Sequence, residues 1–241
     1  MSDAGPATPP RRKRRILGLD DEQRQAQRRT LLLDAALELF GTRGYAKTSI
    51  ELLCQTAGIG TNSFYDLFAN KEAVLIGLYD QLSVRLHRSV TEAFLTHHDD
   101  PDLIRAMVSG FVHEALDDPR VARVAFIESA GVSDQVEDHR RRTRNDFVEG
   151  LQAIGRDIRT TKGIADDLDE AQRPGPSPRR NAVAVVGAIT ETTVDWLLDP
   201  NPDPIDRLID DITHYCQRVM DAIIQESEGE SKGQVSADRS P

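Results

Sequence analysis

Between Gly58 and Lys71 the chain reads Gly-Ile-Gly-Thr-Asn-Ser-Phe-Tyr-Asp-Leu-Phe-Ala-Asn-Lys. Thr61, Asn62, Ser63, Tyr65 and Asp66 are compact hydrogen-bonding side chains, and the chemistry they offer is recognition rather than bond making. Phe64 and Phe68 stand at i,i+4 spacing in a short helix of roughly Thr61 to Phe68, so they turn inward together and leave the polar residues on the other face. A small polar helix face of this kind is suited to entering a nucleic-acid groove. Lys71 follows in the first turn of a new helix that Asn70 can cap. A cation there opposes the helix dipole, so it is expected to be held for an external anion. DNA phosphate is the candidate, because an anion also suits the free N–H groups of a helix start. From the turn alone, an ordinary helical hairpin in an all-α domain remains open.

The elements that must position this face lie just upstream. Thr48 or Ser49 can cap a short helix in which Ile50, Leu53, Cys54 and Ala57 form one apolar side. Gly58 is the natural left-handed stop, and the joining turn Ala57-Gly58-Ile59-Gly60 has the size and glycine content of a helix-turn-helix. Two helices this short cannot stand alone. A third body is predicted from about Arg29 to Thr42, with Leu32, Leu33, Ala36, Leu39 and Phe40 as its apolar stripe and Gly41 and Gly44 bracketing its end. Leu52 lies off the face of the first short helix, open to a neighbour or to solvent.

From about Arg29 to Tyr79 the chain resembles the TetR family of bacterial transcriptional regulators. Ala35-Ala36, Leu39-Phe40, Gly44, Thr48, Ala57-Gly58-Ile59, Tyr65, Phe68 and Lys71-Glu72 carry the likeness; together they are specific, whereas any one alone is weak. The resemblance implies phosphate contacts from Thr48, Tyr65 and Lys71. It implies base or groove contacts from Thr61, Asn62 and Ser63, with Asp66 and Leu67 as further candidates. Gly60, Thr61 and Asn62 depart from the family pattern of Ser or Thr, Lys or Arg, and Gly, so no relative's operator sequence transfers to this chain.

Charge distribution agrees with a nucleic-acid partner although the net charge is −10. Residues 1–47 hold 10 Lys or Arg against 6 Asp or Glu, while residues 81–241 hold 19 against 30, so the acid lies away from the polar helix. The run Arg11-Arg12-Lys13-Arg14-Arg15 reads either as a solubilising tail or as an arm reaching phosphates or the minor groove. No apolar run approaches the ~20 residues needed to cross a bilayer, and no signal peptide is visible. Cys54 and Cys216 both sit at apolar helical positions and read as buried thiols, which fits a reducing cytoplasm.

Beyond Lys71 the pattern is helical throughout. A long helix carries Val74, Leu75, Leu78, Tyr79, Leu82 and Leu86 to near His97-His98-Asp99-Asp100. His97 and His98 are adjacent and do not share a helix face, so no metal site is expected. Further helices are predicted from Pro101, which suits a helix start, through Leu103 to Leu116, from Pro119 to about Gly131, and from roughly Asp134 to Lys162; Arg140-Arg141-Arg142 in the last of these reads as a solvated surface. Residues 163–180 read as a surface loop. A hairpin follows, from Ala182 to Leu198 and from Ile205 onward, and the chain after Glu226 is expected to be disordered.

The fold class is therefore all-α: a disordered basic arm (1–28), a three-helix DNA-binding head with a helix-turn-helix (29–70), a larger helical effector-binding and dimerisation domain (71–226) and a disordered tail (227–241). Met107, Phe111, Phe126, Phe147 and Trp196 read either as core or as the lining of an apolar pocket, with His113, Glu128 and Asn145 near them in sequence. The resemblance favours a pocket for a small, largely apolar effector. A two-fold homodimer is expected through the last hairpin, with Val183, Gly187, Val194, Ile205, Leu208, Ile212, Tyr215 and Val219 at the seam. The sequence contains no G-x-S-x-G, C-x-x-C or H-E-x-x-H pattern, so neither an enzyme nor a cofactor is expected. The function expected is regulation of transcription at an inverted-repeat, double-stranded operator, with release of the DNA by the effector. A DNA-binding or scaffolding helical protein without an effector is the alternative.

Overall fold

A computed structural model describes residues 21–161 and 177–237. The Arg11–Arg15 run, most of the expected 163–180 loop and the last four residues lie outside them. The described elements are helical: α1 (Asp21–Arg43), α2 (Ile50–Ala57), α3 (Thr61–Tyr65), α4 (Lys71–His97), α5 (Leu103–Leu116), α6 (Pro119–Ala122), a π turn (Arg123–Glu128), α7 (Asp134–Thr161), α8 (Pro178–Leu198) and α9 (Ile205–Ala237).

Two apolar cores organise them. The first gathers Leu32, Ala36 and Phe40 of α1, Leu53 and Cys54 of α2, Phe64, Phe68, and Val74, Leu75, Leu78 and Leu82 of α4. The second gathers Leu86 and Val90 of α4, Val108, Phe111, Val112 and Ala115 of α5, and Leu208, Ile209, Ile212 and Cys216 of α9. The buried positions of α4 recur every three or four residues from Val74 to Val90, one stripe on one face. At 1.5 Å per residue this helix is about 40 Å long, so a single rigid rod belongs to both cores. The short segment α6 plus π turn also joins them: Val121 and Val124 enter the first core and Ala122 the second.

Several boundaries differ from the sequence expectation. Residues 21–28, placed in the disordered arm, are helical and, Arg24 apart, exposed. They carry no apolar stripe to announce a helix, but Asp21 and Glu22 in the first turn suit the dipole. Helix α8 begins at Pro178, where Ser177 caps it by accepting the Arg180 N–H at 3.3 Å. Helix α9 continues past Glu226 to Ala237. The single helix expected after Pro119 is instead four α-helical residues followed by a π turn, an irregularity without a periodic signature.

Candidate nucleic-acid interface

The head is held by local devices that the residue types dictate. Ser49 is the cap of α2, its Oγ accepting the Leu52 N–H at 3.2 Å. Gly58 ends the helix at φ 66°, a left-handed conformation costly for any residue with a Cβ. Gly60 starts α3 without a side-chain cap, and Asn70 caps α4 through Oδ1, which accepts the Ala73 N–H at 2.7 Å. Phe64 is fully buried and Phe68 nearly so. With the helix anchored by these rings, Thr61, Asn62, Tyr65 and Asp66 fall within an arc of roughly 140° at 3.6 residues per turn, and all four are exposed. Tyr65 is 59% exposed, its ring edge-on to Phe64 at 5.2 Å. Ser63 is half-buried beside this arc. Leu67 is also half-buried and packs against the head core, so it contributes an aliphatic edge at most.

Two expected phosphate ligands are placed differently. Thr48 is 2% exposed, and its hydroxyl donates to the Gly44 carbonyl at 2.9 Å. It therefore closes the turn from inside, and its exposed neighbour Ser49 takes the outward position. Lys71 is also used internally: Nζ donates to the carbonyls of Tyr45 at 2.8 Å and Thr48 at 2.9 Å and sits 4.1 Å from the Tyr45 ring centre. Desolvation holds the Lys71 ammonium below the ordinary lysine pKa. The loop carbonyls between α1 and α2 thus compensate the cation at the start of α4, which leaves one N–H of three for an external anion. Sequence spacing could not reveal a partner 26 residues away.

The aromatic residues proposed for an effector converge on the second core. Phe111 is 5% exposed, and Met107, Phe126, Phe147 and Trp196 are half-buried against the same cluster. Phe111 stacks with Phe126 at 6.2 Å and meets Phe147 edge-on at 6.0 Å. Trp196 also has a local task, its Nε1 donating to the Asp203 carbonyl at 2.8 Å across the α8–α9 turn. The polar neighbours expected from sequence point elsewhere. His113 pairs with Asp117, Asn145 accepts from Arg179, and Glu128 faces the head. The polar group beside the rings is instead His87, 4.2 Å from Phe147 between ring centres. Burial keeps this imidazole below the ordinary histidine pKa, against the opposing contacts of the Ser83 and Asp146 backbone and the Asp146 charge.

The expected dimer seam divides in two. Leu208 and Ile212 are 5% and 4% exposed and pack inward with α5, and Ile205 joins the same cluster, so these three belong to the protomer's own core. Val183 and Tyr215 are 43% and 41% exposed. Gly187, Val194 and Val219 are half-buried, and a Cβ at Gly187 would meet nothing within 4 Å. One helical stripe cannot face both ways: α9 gives its Leu208–Ile212–Cys216 side to α5 and its Tyr215 side to the outside.

Residues 32–78 match the family described as bacterial regulatory proteins, tetR family. Residues 32–78 thus carry the DNA-binding head of the TetR family. The fold is that of a TetR-type transcription regulator, a helix-turn-helix head followed by a helical body. The matched stretch covers α2, α3 and most of the residues that bury them. Solved structures extend the likeness to the body. The fatty acid degradation regulator FadR of Bacillus halodurans is 16% identical, with 80% of this chain and 94% of that one covered and a TM-score of 0.65. FadR of Bacillus subtilis, in complex with stearoyl-CoA, is 18% identical, with 77% and 95% covered and a TM-score of 0.63. PfmR of Thermus thermophilus is 18% identical, with 78% and 96% covered and a TM-score of 0.56. At these identities the likeness is one of fold.

Proposed function

We propose that this TetR-family chain is a repressor that binds an inverted-repeat operator as a two-fold dimer and is released by a small, largely apolar effector. The observation that carries the reading is the division of α3. Phe64 is sealed in the core while Thr61, Asn62, Tyr65 and Asp66 stand outside on a helix anchored by the Phe64 and Phe68 rings. Asn62 has the amide geometry that reads adenine bidentately, and Tyr65 and Ser49 suit phosphates. Two such heads must lie about 34 Å apart to enter successive major grooves, which calls for a symmetric partner. The outward stripe of Val183, Gly187, Val194, Tyr215 and Val219 is the surface we assign to it. An effector among Met107, Phe111, Phe126 and Phe147 would act through α4, which enters both cores. It can shift the head spacing only by binding one arrangement better than the other.

Selection of duplexes from a random pool by the purified protein tests the DNA reading. Enrichment of an inverted repeat is expected, and Asn62→Ala should relax preference at one position per half-site while retaining salt-dependent affinity. Absence of any preferred duplex overturns it. Titration of the bound duplex with apolar metabolites, long-chain acyl-CoA among them because the Bacillus subtilis neighbour holds one, tests release. The close Phe111–Phe126–Phe147 packing supports a second reading, a regulator whose body is a filled core. Operator affinity that no such compound changes would favour it.

A further inference from the structure

Glu128, the last residue of the π turn, stands 83 residues from the head in sequence, yet its Oε2 accepts the backbone N–H of Tyr45 at 2.8 Å. Its other oxygen accepts from Arg123 Nε at 3.2 Å. The side chain is only 15% exposed, so the carboxylate is fixed by one partner on each side. Gly44 makes room for it: φ there is 92°, and a Cβ would lie 3.0 Å from Oε2. The peptide that Glu128 grips is the one whose residue organises the phosphate side of the head. The Tyr45 carbonyl and ring both hold Lys71, and the Tyr45 carbonyl also accepts the Thr48 N–H at 3.2 Å, immediately before the Ser49 cap.

Two residues before Glu128 in the same turn, Phe126 stacks on Phe111 in the second core. A π turn carries one residue more than the α register between its hydrogen-bonded ends, as the Ser129 N–H to Val124 carbonyl bond at 3.2 Å records. Such turns have an alternative α register close at hand and occur often at functional sites. A push on Phe126 that converts one register into the other would move Glu128 relative to Tyr45.

We infer that Glu128 is a positioning residue that couples the aromatic cluster of the body to the phosphate-facing turn of the head, by a route separate from α4. The inference rests on the effector reading above for its physiological trigger. The contact itself is testable without an effector or DNA. Amide hydrogen exchange on the free, full chain reads the Tyr45 N–H directly. Glu128→Ala should speed Tyr45 exchange about tenfold to a hundredfold, the usual range for losing a hydrogen bond to a charged acceptor. Glu128→Gln keeps an acceptor oxygen and should restore most of the protection. The decisive variant is Phe126→Leu, with Phe126→Ala beside it: each should also speed Tyr45 exchange, with the melting transition still cooperative, while amides of α2 stay protected. Unchanged Tyr45 exchange in folded Phe126 variants overturns the coupling, and so does equal acceleration throughout the head. On a selected duplex, Glu128→Ala and Phe126→Leu should each weaken binding, and together by less than the product of the two. Additive losses would also overturn the coupling. If no duplex is selected, the DNA-reading proposal fails while the exchange result still decides this one.

Discussion

The Lys71 ammonium lies 2.8 Å from the Tyr45 carbonyl oxygen and 4.1 Å from the centre of the Tyr45 ring, so one side chain ties the start of α4 to the loop before α2. Lys71 therefore has a structural task as well as any contact with phosphate. Lys71→Ala should cost the head about 1–2 kcal/mol, from two charge-assisted hydrogen bonds and a cation–π contact at a half-buried site. It should also weaken all DNA about equally. Lys47→Ala, at an exposed position on the same loop, should weaken DNA with no loss of stability. Urea denaturation beside fluorescence anisotropy separates the two. Equal stability of Lys71→Ala and the parent protein would show that the ammonium is free for solvent ions.

Ser49 allows a cleaner division between folding and binding. Its Oγ caps α2 while the residue remains exposed. Asp is as good a cap as Ser, whereas Ala costs about 1 kcal/mol. Ser49→Asp should keep the melting temperature and reduce affinity for every duplex, because it sets a negative charge where phosphate approaches. Ser49→Ala should lower both. If Ser49→Asp binds DNA as tightly as the parent, this cap does not face the backbone.

The contrast between Ser49 and Thr48 marks where the sequence was legible. Either could cap a helix, and composition gave no means of choosing; packing decides, because the Gly44 carbonyl needs a donor inside the turn and Thr48 supplies it. The apolar periods of α1, α2 and α4 were readable since each repeats on one face. Leu208 and Ile212 show the limit of that signal. A hydrophobic stripe says that a face is covered, not whether α5 or a second subunit covers it. Glu128 left no trace at all, because its partner is a backbone N–H that every sequence possesses.

That ambiguity on α9 gives a paired test of the proposed dimer. Val183→Glu combined with Tyr215→Glu places charge on exposed positions, so the protomer should fold with little change in stability. Sedimentation should then show monomer where the parent protein is dimeric, because an unpaired buried charge is costly in a seam. Ile212→Glu should instead unfold the second core, costing about 4 kcal/mol or more. A double variant that remains dimeric at micromolar concentration would move the interface off this stripe.

His87 predicts how stability depends on pH. Burial beside Phe147 lowers its pKa in the folded chain, so the native state resists a proton that the unfolded chain accepts. The sign follows from linkage: above the unfolded imidazole pKa, near 6.5, both states are neutral and the native state keeps its full stability. As pH falls below about 6.5 the unfolded state gains protons first, and stability is lost progressively until the folded pKa is passed. His87→Phe removes this titration while retaining an aromatic ring against Phe147. Urea denaturation at about pH 7.5 and about pH 5.5, on either side of the unfolded value, should show a larger fall in unfolding free energy for the parent than for His87→Phe. Asp118 and Glu137, which Arg120 and the Gly131 N–H respectively hold below the usual carboxylate range, lose their contribution only at more acid pH and so do not obscure the comparison. Equal pH dependence in the two proteins would mean that the imidazole is solvated in the folded chain and does not sit against the aromatic cluster.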